Sequence, residues 1–313
     1  MSELKKAIRK FGKGALIRGY IRTHTLWYIF LSFLINGSSK QGLELVRLGQ
    51  QLKVKKLLYK RYKGIINNPI IENNIQQKSN YVWICWFQGI EQAPDIVKVC
   101  VESIVESFTE REVILVTKNN IANYVEIPDY MVNKWHDRKI TDTHFSDILR
   151  AELLTKHGGI WIDATVFVSH KDYLFEKVVD NSDLFFFQKL KPGGDGNAII
   201  MSSWFISCKK NNPILTRTRD LLREYWKKND KLLDYFLFHF FLQLVLDKNK
   251  LYYDAIPKYD SGVSHILLSR LNDTYCREEF ENICDRVSIN KLSYKNIDTN
   301  KDDTFYAHFI EMR

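Results

Sequence analysis

The block Phe145–Ser169, FSDILRAELLTKHGGIWIDATVFVS, constrains the chain more than any other stretch. Phe145, Ile148, Leu149 and Leu153 recur at helical spacing, and Asp147 and Arg150 fall one turn apart on a shared side. Ser146 suits the N-cap, and Gly158-Gly159 supplies the left-handed backbone on which a helix stops. The next residues alternate. Ile160, Ile162, Ala164, Val166 and Val168 point one way, and Trp161, Asp163, Thr165 and Phe167 the other. One strand through this run sets Asp163 and Thr165 on one face beside an indole, a geometry suited to a metal-bound diphosphate. Helix, paired glycines and strand are also an ordinary α/β unit, in which such an Asp merely ends a strand.

The flanks supply the rest of an α/β fold. Tyr81–Trp86 reads as a buried strand, Phe87-Gln88-Gly89 turns out of it, and Pro94 opens a helix from Asp95 to about Ser107. Arg111–Thr117 is the second strand. In such a unit ligands collect beyond the C-terminal ends of parallel strands. There is no glycine loop of the phosphate-gripping or dinucleotide type, so a metal, not a helix N-terminus, suits a diphosphate. Leu184–Phe187 and Trp204–Ser207 are further strands, and Pro213–Lys228 is an amphipathic helix. Between those strands Lys191–Asn197 is a flexible loop, either a lid over an acceptor or only a connection. Leu232–Leu246 is too short to span a membrane and reads as a buried helix with Asp234 near its start. Such a carboxylate needs a partner, unless it simply favours the helix N-terminus.

The string SDxLR followed by GGIWIDATV resembles the signature of the capsular polysaccharide synthesis proteins, family 32-type sugar transferases of the GT-A fold. The resemblance extends from about Tyr81 to His308. It implies an α/β fold with a GT-A-type, Rossmann-like mixed sheet flanked by helices, preceded here by an N-terminal helical segment. It also implies retaining transfer of a hexose, galactose or glucose favoured, from a UDP-sugar to a lipid-linked glycan acceptor. On that resemblance Asp147 and Arg150 match a helix pair that binds donor-sugar hydroxyls. Asp163 matches the first Asp of an Asp-x-Asp that binds ribose and a divalent metal. Thr165 stands where the second Asp would be, which departs from the pattern and leaves a weaker ligand. Trp86, Gln88 and Gly89 fall where the nucleoside is received, and Asp234 where a carboxylate faces the sugar. His308 corresponds to a late histidine that completes the metal shell. Imidazole suits Mn2+ better than Mg2+; a histidine held in an aromatic cluster is the competing reading. Two other activities stay open: a catalytically inactive, membrane-bound scaffold of the same fold, for which Thr165 argues, and a metal-dependent nucleotidyltransferase.

Charge divides the chain. Residues 1–63 hold 15 Lys and Arg against only Glu3 and Glu44, a balance of +13, although the whole chain carries +9. Cations from Lys5 to Arg22 precede the apolar, aromatic run Leu26–Ile35, about half the roughly 20 residues a spanning helix needs. Such a segment fits the interface of an anionic membrane, or else a core helix pair with a solvated basic face. No recognised nucleic-acid module accompanies the charge, so no nucleic-acid partner is expected. Residues 1–75 form the basic helical segment and 76–313 the catalytic domain. Five cysteines without a Cys-x-x-Cys pair argue for a reducing compartment. The expected location is cytoplasmic, peripheral at the inner face of the cell membrane, with the oligomeric state open.

Overall fold

Alternation of apolar residues on both faces of short strands demands helices on either side, and the computed structural model has that arrangement. It describes residues 21, 23, 25–37, 39–70, 79–190 and 197–311. Two helices come first, α1 (Leu26–Asn36) and α2 (Lys40–Ile66), followed by β1 (Tyr81–Cys85), α3 (Asp95–Ser107) and β2 (Glu112–Val116). Then come α4 (Ile121–Tyr124), α5 (Asp129–His136), α6 (Asp142–His157), β3 (Gly159–Ile162) and β4 (Val166–Val168). The second half contains β5 (Leu184–Gln188), β6 (Met201–Cys208), α7 (Pro213–Lys228), α8 (Leu237–Lys248) and α9 (Lys250–Asp254). The chain closes with α10 (Ile266–Arg270), α11 (Arg277–Arg286), β7 (Ile289–Lys291) and α12 (Phe305–Glu311).

The main sheet has the order β2-β1-β3-β6-β5. β2, β1 and β3 are parallel, whereas β6 runs antiparallel to both β3 and β5. This is the expected mixed α/β sheet flanked by helices. Antiparallel β6 has a consequence for function: its middle pairs with the last residue of β3, Ile162 opposite Phe205, and its first residues run on past the end of β3. Asp163 continues the pairing, its N–H donating to the Trp204 carbonyl at 2.8 Å. Trp83 and Trp161 enter one core with α2, α5, α6, α7 and α8, and Val82, Ile84, Ile160 and Ile162 the other with α3 and β4.

Two expectations need correcting. The helix carrying Asp147 and Arg150 is capped not by Ser146 but by Thr141, whose hydroxyl accepts from the His144 N–H at 3.3 Å. The extra turn carries Phe145 onto Trp135, where the rings stack with centroids 3.9 Å apart. Ser146 Oγ instead donates back to the Thr143 carbonyl inside the helix. The strand after the glycines is also two strands. The Val166 N–H closes a turn onto the Asp163 carbonyl at 2.9 Å, and β4 leaves the main sheet to pair antiparallel with β7. The glycine stop behaves as expected: Gly158 and Gly159 have φ of +69° and +95°. A Cβ on Gly159 would lie 2.4 Å from the Tyr81 carbonyl oxygen, so close strand approach excludes any side chain there.

The boundary expected near residue 75 lies outside the described residues, as do the basic residues before 21 and the loop 191–196. Before that boundary, Val54, Leu58, Tyr62 and Ile66 of α2 are buried in the core shared with α7 and α8. α1 is different. Ile29 and Ser32 are buried, but Trp27, Phe30, Leu31, Leu34 and Ile35 are exposed. Among the described residues no helix is long and apolar enough to cross a membrane.

Candidate active site

A cleft of about 780 Å³ opens beyond the C-terminal ends of β1 and β3, within the range of small-molecule sites. The residues after β1, the α6 face bearing Asp147 and Arg150, the turn after β3, the start of β6, and the segment from Lys291 to Lys295 all line it. Antiparallel β6 and the small β4–β7 sheet thus close a site that the parallel strands alone leave open.

Asp147 and Arg150, both buried, sit as the helical spacing requires, with Arg150 Nη1 donating to Asp147 Oδ1. Arg150 Nη2 reaches forward to Asp163 Oδ1 at 3.1 Å, and Trp161 Nε1 donates to the same oxygen at 2.9 Å. The guanidinium lies 4.6 Å from the Trp161 ring centroid and 5.6 Å from that of Phe238, so its plane is fixed by stacking as well as charge. Behind Asp147, Trp226 Nε1 donates to His144 Nε2 at 3.0 Å. That bond leaves the His144 proton on Nδ1, facing Asp147 Oδ2 at 3.6 Å. Burial works against ionising Asp147, but Arg150, His144 and His239 outweigh it and hold the carboxyl below its usual range.

Lys291, which sequence reasoning did not single out, completes the line. Its ammonium donates to Thr165 Oγ1 and lies 3.7 Å from Asp163 Oδ2. Sequence gives little warning of this, because Lys291 and Thr165 are 126 residues apart and only the β4–β7 pairing brings them together. Burial pushes the His239 imidazole of α8 down to about 4, so this cleft-lining ring is neutral near pH 7. Trp86 meets Tyr294 edge to face at 5.6 Å. The buried indole N–H groups of Trp86 and Trp204, His239 Nδ1 and Arg150 Nε have no protein hydrogen-bond partner. Such groups are rare in folded interiors; these four line the cleft, whereas others, Thr155 Oγ1, Arg270 Nε and Asn290 Oδ1 among them, lie elsewhere. Cys85 also lines it, but burial pushes its thiol up, away from a reactive thiolate.

Of the other expected site residues, Gln88 lines the cleft and Gly89, at φ +83°, makes the turn behind it. Asp234 lies outside the lining, in the turn before α8, where Oδ1 accepts from the Phe236 N–H at 2.8 Å. Burial raises its carboxyl, opposed by that bond and by Arg47. His308 lies outside the lining as well. It stacks on Tyr275 at 3.9 Å between Asp303 and Glu311, at 3.4 and 3.8 Å. The metal-ligand set Asp163, Thr165 and His308 is therefore not gathered. Among the described residues no three of His, Cys, Asp and Glu are grouped to hold an ion. One carboxylate flanked by two cations and a hydroxyl bonded to an ammonium do not fit a divalent cation.

Residues 38–309 match the family described as "Capsular polysaccharide synthesis protein". Over 116 residues the chain is 28% identical to "O-glycosyltransferase braB" of Annulohypoxylon truncatum. That match covers 34% of this chain and 27% of the relative, so the chain spans only about a quarter of that protein's length. A solved structure titled "PaToxG Glycosyltransferase" is 14% identical with a TM-score of 0.37, over 66% of this chain and 84% of that one. At that score nothing rests on the likeness.

Proposed function

The chain belongs to the capsular polysaccharide synthesis protein family, and from that premise we propose that its cleft is the active site of a glycosyltransferase. It moves a hexose, galactose or glucose, from a UDP-sugar to a lipid-linked glycan acceptor with retention of configuration. One observation carries this reading: the chain of contacts Asp147–Arg150–Asp163 at the open end of the parallel strands, inside a cleft of ligand size.

The nucleoside lies against Trp86 and Tyr294 beside Gln88, where aromatic faces and an amide meet a flat base. The sugar lies towards Ser202, Ser203, Tyr235 and His239, which offer hydroxyls and a neutral imidazole. Arg150 is held at both ends of its fork, so its charge stays in place as negative charge grows on the leaving diphosphate. Such preorganisation lowers the barrier because the cation need not reorient during the reaction. Both Asp163 oxygens face donors or cations, and Asp147 is locked between Arg150 and His144. Neither is disposed as a nucleophile. That favours front-face transfer through an oxocarbenium-like state over a covalent intermediate. The acceptor's lipid sits at an anionic membrane surface, against which the exposed apolar residues of α1 rest.

Purified protein incubated with a panel of nucleotide sugars, with products read by mass spectrometry, tests this reading. Slow release of UDP from one UDP-hexose is the expected result. Pyrophosphate released from a nucleoside triphosphate points instead to nucleotidyl transfer, and inertness towards every donor to a scaffold.

A further inference from the structure

We propose that the ammonium of Lys291 takes the place of a divalent cation in this cleft and holds the diphosphate of the donor, so that donor binding is metal-independent. The inference rests on the nucleotide-sugar reading above and specifies how that site grips its substrate.

Backbone pairing fixes the lysine. Lys291 is the last residue of β7, opposite Val166, and the next N–H, of Leu292, donates to the Thr165 carbonyl at 2.8 Å. The root of the side chain is thus fastened to the turn that follows Asp163. From there Nζ donates to Thr165 Oγ1 and, at 3.3 Å, to the Leu292 carbonyl. Its 3.7 Å approach to Asp163 Oδ2 is an ion pair beyond hydrogen-bond length. An ammonium has three N–H groups. Two are used, and the third is left for an anion in the cleft that Lys291 lines.

Charge makes the same point. A pair of strand carboxylates is doubly negative and repels a diphosphate unless a divalent ion intervenes. Here the second position is Thr165, which carries no charge, and Lys291 neutralises Asp163. Arg150 balances Asp147 in the same way. The cluster can therefore receive a diphosphate without a metal, with Lys291 acting as a point charge. A divalent ion on Asp163 and Thr165 would have to displace that ammonium against like-charge repulsion.

Titration calorimetry with UDP and with uridine, in EDTA and then with Mn2+, tests this on the full chain. Wild type is expected to bind UDP in EDTA with an affinity within about twofold of that in Mn2+. Lys291→Met, which keeps the apolar stem, should weaken UDP about tenfold or more, the scale of a charged hydrogen bond, and leave uridine unchanged. Lys291→Arg should retain most of the UDP affinity. UDP binding that appears only with Mn2+ overturns the inference and leaves the transferase reading intact. So does wild-type affinity for UDP in a Lys291→Met protein that still binds uridine. Failure to bind UDP or uridine in either medium overturns both readings. The wild-type comparison decides the question even where a variant does not fold.

Discussion

Arg150 Nη2 donates to Asp163 Oδ1 at 3.1 Å, joining a helix to the end of a strand 13 residues further on. The pair sits at the C-terminal ends of the parallel strands, where the N-terminal half of α6's inner face and the first residue after β3 converge. Arg150 is bonded to Asp147 as well, so three residues that a motif treats as separate contacts form one electrostatic unit. Removing any one alters the charge that the others feel.

Asp163→Ala and Arg150→Met should each lower kcat/KM by about 10²- to 10³-fold, the scale for losing one fixed electrostatic contact in an active site. Because the two act together, the double variant should be little worse than the poorer single variant. A double-mutant cycle on UDP release reads this directly. Strictly multiplicative losses would show that the two side chains work independently.

Arg150 also holds the fold. Arg150→Met leaves Asp147 buried without its counter-ion and should cost about 3–5 kcal/mol in urea denaturation. Arg150→Lys should recover little, since an ammonium cannot reach both carboxylates and stack on Trp161 as the fork does. Wild-type stability in Arg150→Lys would contradict the bridging role.

His239 gives the stability a pH dependence. Burial depresses its pKa from 6.5 to about 4, with Arg150 and Lys189 acting in the same direction and Asp147 and Asp163 opposing. As pH falls, the unfolded chain takes up this proton first, so stability drops between about pH 6.5 and about pH 4. The full loss is on the order of 3 kcal/mol. Asp147 has the same sign at lower pH: its carboxyl is held below the usual range, and its contribution disappears only as pH falls past that depressed value. Denaturation midpoints at pH 7 and pH 4.5 should therefore diverge less in His239→Phe than in wild type. Parallel profiles for the two proteins would remove His239 as the cause.

Trp86→Ala should weaken UDP and uridine alike, by about 1–3 kcal/mol, the range for a base stacked on an aromatic side chain. Calorimetry of the two ligands separates this loss from one confined to the diphosphate. Unchanged uridine affinity would move the base elsewhere in the cleft.

What the sequence disclosed follows from the range over which its signals act. Helical spacing put Asp147 beside Arg150, strand alternation put Trp161 on the side of Asp163, and the paired glycines stopped α6, because each depends on neighbours within a few residues. The β3–β4 break was hidden, since Ala164 and Thr165 continue an alternating pattern and only pairing of β4 with β7 shows that the chain has turned. Lys291 was hidden for the same reason. Its partner Thr165 lies in another element, and a lysine in KLSYK carries no spacing that marks it. The Thr141 cap went unmarked, because Ser146, nearer the apolar run, also suits an N-cap and nothing within the helix shows that it starts a turn earlier.

α1 bears on attachment to membranes. A helix that buries only Ile29 and Ser32 while Trp27 is 75% and Ile35 79% exposed presents apolar surface to its surroundings. α1 does pack on α2, where Tyr28, whose hydroxyl donates to the Leu45 carbonyl at 2.9 Å, leans over Gly49, at which a Cβ would overlap its ring; the exposed apolar residues lie outside that contact. The neighbouring α2 carries Lys40, Arg47, Lys53, Lys55, Lys56, Lys60, Arg61 and Lys63 with Glu44 as its single acidic residue, and of these Lys55 is paired with Asp247 at 2.7 Å. Apolar aromatics beside clustered cations match an anionic lipid surface, where each basic side chain contributes about 1 kcal/mol within a Debye length. Sedimentation with phosphatidylserine-containing vesicles should therefore recover the protein at low salt, release much of it at high salt, and recover little with neutral vesicles. Trp27→Ser and Ile35→Ser, both at exposed positions, should weaken binding without changing thermal stability. Deleting residues 1–35 should spare slow hydrolysis of the donor yet impair transfer to a lipid-linked acceptor. If anionic vesicles at low salt leave the intact protein in the supernatant, α1 is not a membrane contact.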